Sequence, residues 1–304
     1  MPPPRGTPNP LEGPGDYDVT PTVHSDTYPE IDPAKTDLSG KAVLVTGGSR
    51  GIGRAIVLAY ARAGASFIAA AARSGTSDLA ADVEAAALSA NRTPPKYLPI
   101  TLDVSSIESV KAAAVALEKE FGRCDVIVNN AGVFGDFSLL GDYDPKTWSN
   151  VFDVNVRGPY LVTQALLPLM IKTGDAYVVN ISSVGAILTA PTVSAYQISK
   201  TALFRLSDFI NKEYSEKGVI SFAVHPGNCI TDMAVAIGAD QDPLYKEVFV
   251  DTPELCANTL VFLTSEKRAW VGGRYINVTW DMPQLAAKQQ EIVNEDKLKL
   301  TLKY

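Results

Sequence analysis

Residues 42–63 read AVLVTGGSRGIGRAIVLAYARA. A short apolar run, Ala42-Val43-Leu44-Val45, enters the glycine turn Thr46-Gly47-Gly48-Ser49-Arg50-Gly51-Ile52-Gly53, and an Ala-rich helical pattern follows at once. Continuous rather than alternating apolar character marks a strand covered on both faces. Glycines permit a tight turn and let backbone approach a pyrophosphate closely. The helix start behind them offers free N–H donors and the positive end of a dipole. A glycine-rich turn that binds nothing is the plainer alternative. Here the turn leaves the first strand of a repeating strand–helix pattern, which is the context a phosphate site requires.

Further apolar runs follow at 66–69, 97–100, 126–128, 176–179, 220–224 and 274–277, with helical patterns at about 51–63, 77–90, 105–121, 144–172, 194–217 and 253–264. Strand and helix alternating along one chain predict an α/β fold, a doubly wound parallel sheet of about seven strands with helices on both faces. Residues 1–37 are dense in Pro, Gly, Asp and Thr and lack periodicity, so they read as a mobile or loosely docked N-terminal arm. The ordered catalytic domain is expected over 38–282, and a charged C-terminal tail over 283–304.

Composition narrows the partners. A formal net charge of -7 with scattered Lys and Arg gives no reason to expect nucleic acid or an anionic membrane. Cys124, Cys229 and Cys256 are distant in sequence and odd in number, which suggests reduced thiols. With only His24 and His225 in the chain, no metal site is expected. The start, Met1-Pro2-Pro3-Pro4-Arg5-Gly6, lacks the apolar core of a secretory leader, and no apolar run reaches membrane-spanning length, so a cytoplasmic protein is expected.

The spacing T-G-x-x-x-G-x-G resembles the single-domain short-chain dehydrogenase/reductase family, and other blocks of that family occur in order. They are Asp103 after the third strand, Asn129-Asn130-Ala131-Gly132 after the fourth, Asn155, Ser183, Tyr196-Gln197-Ile198-Ser199-Lys200, and Pro226-Gly227-Asn228-Cys229-Ile230-Thr231. The match covers about residues 38–282. The resemblance implies a Rossmann fold and a nicotinamide dinucleotide held by Gly47, Ser49, Arg50, Gly51, Ile52 and Gly53 in the turn. It also implies contacts from Asp103 and Val104 near the adenine, from Asn129, Ala131 and Gly132 along the dinucleotide, and from Pro226, Ile230 and Thr231 at the carboxamide. For Asp103, a turn residue at a strand end is an almost equal alternative.

Enzymes that prefer NAD usually carry an acidic residue at the end of the second strand. This chain has Ala69-Ala70-Ala71-Ala72-Arg73-Ser74 there. Arg73 and Arg50 favour a 2′-phosphate, hence NADP(H); an exposed surface charge is the plainer alternative for either arginine.

Tyr196 and Lys200 stand four apart on a predicted helix and so share one face; no other tyrosine here has a lysine four residues on. Free tyrosine titrates near ~10. An ammonium ~5 Å away, at an effective dielectric of ~20, favours tyrosinate by ~3 kcal/mol and brings the phenol to ~8. The resemblance makes Tyr196 the proton donor to a carbonyl oxygen. It assigns Lys200 to tyrosinate and the nicotinamide ribose, Ser183 to the reacting oxygen, and Asn155 to a water that links Lys200 to solvent. Ser183 is preferred to Ser182 by its spacing to Tyr196, and His225 reads as a packed strand-end residue.

Apolar segments at Val133, Phe134, Phe137, Leu139 and Leu140, and at Met233, Val235, Ile237, Leu244 and Tyr245, suggest walls for a neutral lipophilic ketone, aldehyde or alcohol. Their basic residues, Lys146 and Lys246, come only at the far ends. The resemblance further implies a homodimer or homotetramer formed through the helices at 144–172 and 194–217 and the last strand. Two rival readings keep the fold: an epimerase or dehydratase, and a non-catalytic nucleotide-sensing protein. The second predicts loss of one of Ser183, Tyr196 and Lys200, and all three are present.

Overall fold

Seven apolar runs form strands: β1 Ala42–Thr46, β2 Phe67–Ala72, β3 Lys96–Thr101, β4 Val126–Asn129, β5 Ala176–Ile181, β6 Val219–His225 and β7 Tyr275–Asn277. The computed structural model describes residue 3, residues 7–236 and residues 238–302. All strands are parallel, in the order β3-β2-β1-β4-β5-β6-β7. β1 is buried at all five positions and β6 at all seven, because helices cover both faces of the sheet.

The helices are α1 Gly51–Arg62, α2 Ala80–Ser89, α3 Ile107–Phe121, α4 Pro145–Phe152, α5 Gly158–Thr173 and α6 Ser194–Tyr214. They continue with α7 Asp232–Ala236, α8 Pro243–Val248, α9 Pro253–Thr264, α10 Met282–Ala287 and α11 Gln289–Asn294. One face of the sheet packs on Ile56, Val57 and Tyr60 of α1 and Leu255, Leu260 and Val261 of α9. The other packs on Val110 and Leu117 of α3 and Leu161, Leu166 and Met170 of α5. Each such buried aliphatic side chain contributes up to roughly 1.5–3 kcal/mol relative to exposure. The winding starts at β1, runs outward to β3, then returns past β1 to β4. The crevice beyond the C-terminal ends of β1 and β4 is therefore the switch point of the sheet.

The single helical pattern expected over 144–172 is divided. A wide π-helical segment, Asp153–Arg157, separates α4 from α5. The inserted turn carries Asn155 inward to 1% exposure.

The segment that composition reads as a loosely docked arm is anchored at the β7 end of the sheet. Val23 forms an antiparallel bridge with Trp280, and the His24 N–H donates to the Thr279 carbonyl at 2.7 Å. The His24 ring stacks on Tyr28, whose hydroxyl accepts the Met282 N–H at 2.8 Å. Tyr28, Ile31 and Leu38 enter the core, and Pro29 and Pro33 each begin a 3-10 turn. These anchors are spaced by turns, so they leave no period in the sequence. The tail contributes α10 and α11, which bury Leu285 and Ile292. Beyond them, the Leu298 carbonyl accepts the Tyr275 N–H on the outer edge of β7 at 2.8 Å.

Asp251 lies beside the arm, 8% exposed, and accepts the Asn228 N–H at 2.6 Å. Burial pushes its carboxyl up to about 7. A carboxyl raised in the fold gives its full stability while protonated, and that contribution is lost as pH climbs from the unfolded value of about 4 through the folded value. The variant Asp251→Asn keeps the acceptor and removes the charge. Its thermal midpoint should exceed that of the unsubstituted protein by about 3 °C or more at pH 8, with the gap closing near pH 4. Calorimetry across that range checks this; a gap independent of pH would refute it.

Candidate active site

The glycine turn is shaped by two close approaches. Gly47 has φ +65°, and a Cβ at Gly53 would collide with the Gly47 carbonyl oxygen. The turn is also fastened to the end of β4. The Asn130 side chain donates to the carbonyls of Thr46 and Gly47 at 3.0 and 3.1 Å, while the N–H groups of Asn130 and Ala131 donate to Thr46 Oγ1, each at 3.1 Å. A cleft of about 580 Å³ opens here and runs from Arg73, at the end of β2, past the start of α1 to Tyr196. Its length and its open helix start suit a dinucleotide: Gly51 and Ile52, at the helix start, are the residues that could hold its phosphates, and Lys200 and Thr231 also line the cleft.

The expected contacts divide on inspection. Gly47, Ser49, Arg50, Gly51, Ile52 and Gly53 line the cleft, as do Arg73, Asp103, Val104, Ala131, Gly132, Pro226 and Thr231. Asn129 and Ile230 do not. As the last residue of β4, Asn129 points along the sheet, donating to Asn180 Oδ1 at 2.9 Å and Thr163 Oγ1 at 3.3 Å. Asn130, one residue on, faces the cleft. The strand alternation that separates the two was visible in the Asn-Asn pair. Ile230 is 44% exposed beside the cleft. Asp103 Oδ1 accepts the Ser105 hydroxyl and N–H at 2.6 and 2.9 Å, which holds its carboxyl below the ordinary range, with Arg73 adding to the effect. Across the cleft mouth, Arg50 pairs with Asp232 at 2.5 Å; both side chains are largely exposed.

At the far end, α6 carries Tyr196 and Lys200 on one face, and Ser183 follows β5. Burial pushes the Tyr196 phenol above its ordinary value, and the Ser183 hydroxyl acts in the opposite sense. Burial also brings the Lys200 ammonium down to about 8. Its Nζ donates to the Ile181 carbonyl at 2.8 Å and lies 5.6 Å from the centre of the tyrosine ring. The phenol lowered to ~8 that charge spacing predicts is thus reversed in sign, because the ring is desolvated and the ammonium stands off its face. Ser182, buried at 2% exposure, donates its hydroxyl to the Lys200 carbonyl at 2.8 Å, which leaves Ser183 as the hydroxyl beside the phenol.

Asn155 clamps the loop after Gly132. Its Oδ1 accepts the Val133 N–H and its Nδ2 donates to the Val133 carbonyl, both at 2.8 Å, with a further bond to Ser199 Oγ at 3.0 Å. The same loop carries Phe134, whose ring stacks on Tyr196 at 4.7 Å and meets Phe137 at 5.0 Å. Composition marked Phe134 as a pocket wall; its seat on the phenol had no signal in the sequence. Phe137, Leu139, Leu140 and Val235 are exposed and do not line the cleft, Val133 and Met233 do, and Ile237 lies outside the described residues. His225 is 4% exposed, and burial drives its imidazole down to about 3, so it is neutral near pH 7.

Gly53→Ala should abolish the turn's close approach. The expected result is a rise of about 100-fold or more in the dissociation constant for the dinucleotide, with the far-ultraviolet spectrum retained. Titration by fluorescence checks it, and binding as tight as in the unsubstituted protein would refute the assignment of the turn.

The geometry has clear relatives. Residues 41–242 match the family model described as short chain dehydrogenase. Short chain dehydrogenase pigC of Monascus ruber is 59% identical over 305 residues, covering 100% of this chain and 100% of its own. Among solved structures, a gluconate 5-dehydrogenase from Burkholderia cenocepacia J2315, in complex with NADP and tartrate, is 25% identical with a TM-score of 0.70. It aligns over 81% of this chain and 96% of its own. The carveol dehydrogenase from Mycobacterium avium in complex with NAD shares the fold at 23% identity, with a TM-score of 0.71 over 80% of this chain and 97% of its own.

Proposed function

Because the chain belongs to the short-chain dehydrogenase family, and so is an NAD(P)-dependent oxidoreductase acting on CH–OH and C=O groups, we propose that it uses NADP(H) on a neutral, lipophilic ketone, aldehyde or alcohol. The observation that carries the reading is that Tyr196 and Lys200 line one end of the cleft that the glycine turn also lines, with the Ser183 hydroxyl hydrogen-bonded to the phenol. The dinucleotide, when bound, supplies or accepts the hydride. The Ser183 hydroxyl orients the reacting oxygen, and the Tyr196 phenol gives that oxygen a proton during reduction. The Lys200 ammonium stabilises the phenolate left behind. Asn155 fixes the Val133 backbone, so that Phe134 shields the phenol from water.

Arg73 supports NADP: it lines the cleft after a second strand that ends in alanine, with no carboxylate to meet a ribose hydroxyl. Arg50 stands at the same mouth, tied only to an exposed aspartate, a pairing of small energy that a phosphate can displace. Val133 and Met233 in the cleft lining, with the exposed Phe137, Leu139, Leu140 and Val235 on the segments that follow Gly132 and Thr231, support a lipophilic substrate. Exposed Tyr160 and Phe209, on α5 and α6, support self-association through those helices. Three buried free thiols suit a reducing, cytoplasmic setting. No helix among the described residues is long and apolar enough to cross a membrane.

Tyr196→Phe should lower kcat for ketone reduction by about 10²- to 10⁴-fold while the dinucleotide still binds; full turnover would end the reading. Because Lys200 is charged only below about 8, kcat should fall as pH rises through that value. A pH–rate profile flat to pH 10 would contradict its role. Replacing Arg50 and Arg73 together with alanine should raise KM for NADPH by about tenfold or more and spare NADH, since each charged hydrogen bond is worth about 1.5–3 kcal/mol. Equal losses for the two cofactors would refute the NADP preference.

A further inference from the structure

The N-terminal arm reaches the active site through one tight turn. Gly13-Pro14-Gly15-Asp16 is closed by the Asp16 N–H on the Gly13 carbonyl at 3.2 Å, with Gly15 at φ +90°. Proline second and a left-handed glycine third are the residues this turn type selects. The turn is bolted to the sheet from both sides. Asp16 Oδ2 accepts the Gly13 N–H at 2.7 Å, and its Oδ1 accepts the Asn277 side-chain amide, at the end of β7, at 3.0 Å. The indole N–H of Trp280 donates to the Gly15 carbonyl at 3.1 Å.

What the turn presses on is the segment that carries Ser183. Gly13 is buried, and a Cβ there would stand 2.6 Å from Val184 Cγ2 and 3.0 Å from Ile187 Cδ1. Val184–Ala186 form a 3-10 turn whose start is capped by Ser183, its Oγ accepting the Gly185 N–H at 3.0 Å. On the opposite side this turn rests on α6. Thr201 donates to the Ala186 carbonyl at 2.7 Å, and a Cβ at Gly185 would be 3.7 Å from the Tyr196 ring. The serine turn is thus held between the catalytic helix and the arm, with backbone or stiff β-branched groups at the contact.

We propose that the Gly13–Asp16 turn is a positioning device for the reaction: it seats the Val184–Ala186 turn against α6 and so holds the Ser183 hydroxyl at the Tyr196 phenol. The inference rests on the role of Ser183 given above, and it makes Gly13 and Asp16 positioning residues rather than catalytic ones. Hydride and proton transfer tolerate little misplacement of the reacting oxygen, so a shift of the serine turn acts on kcat. The glycine turn for the dinucleotide lies on β1 and α1, away from this contact, so cofactor affinity is spared.

The test is a bump and its relief. Gly13→Val should lower kcat for ketone reduction by about tenfold or more, with the NADPH dissociation constant unchanged. Gly13→Val combined with Val184→Ala, which removes the opposing methyl groups, should restore most of the loss. Asp16→Ala supplies a measurement that needs no substrate. Amide hydrogen exchange of the peptide covering 183–187 should quicken while that of α1 stays as it was. An unchanged kcat in Gly13→Val, a loss that the second substitution leaves in place, or unchanged exchange in Asp16→Ala each overturns the inference. Ser183→Ala separates the two levels. Full turnover in that variant removes the catalytic reading of the serine and leaves the exchange measurement to judge the contact. Lost turnover together with an unaffected Gly13→Val removes the positioning role alone.

Discussion

A parallel sheet covered by helices on both faces has only its strand ends left for chemistry. Here that constraint is nearly complete: β1, β4, β5 and β6 are buried along their whole length. The polar groups therefore collect beyond the C-terminal edge, where the chain leaves each strand by a turn. Thr46, Asn130 and Ser183 stand there, at the exits of β1, β4 and β5, with Pro226 leaving β6 beside them, and the cleft opens along those exits. Asn130 fastens one exit to its neighbour through the carbonyls of Thr46 and Gly47.

The electrostatics of the far end follow from the same burial. Desolvation works against both charged partners, lifting the phenol against the pull of the Ser183 hydroxyl and lowering the ammonium. What the fold provides is short-range: a hydroxyl beside the phenol, an aromatic cover over it, and a carbonyl that keeps the lysine pointing inward.

The strand–helix alternation and the glycine turn made the sheet and its cleft legible, because both depend on local backbone and on apolar runs. The Tyr196–Lys200 spacing was legible for the same reason: four residues on a helix is a local relation. Three features escaped. The π-helical insertion at Asp153–Arg157 keeps a helical hydrophobic pattern and hides the extra residue. The Phe134–Tyr196 stack joins a loop and a helix 62 positions apart, and no periodicity encodes it. The seat of the arm left no such mark, because its anchors, Tyr28, Ile31 and Leu38 among them, are few in a stretch that is otherwise polar and rich in proline.

The outer strand β7 is only three residues long, yet it is not left bare: the Tyr275 N–H is already taken by the Leu298 carbonyl, and Arg205 reaches the Leu300 carbonyl nearby. An uncovered border strand is a template on which foreign backbone can grow, the usual first step of ordered aggregation. Residues 298–300 therefore serve as a selvedge for the sheet. Proteolytic clipping after α11 would unravel it, turning a change remote from catalysis into a loss of colloidal solubility.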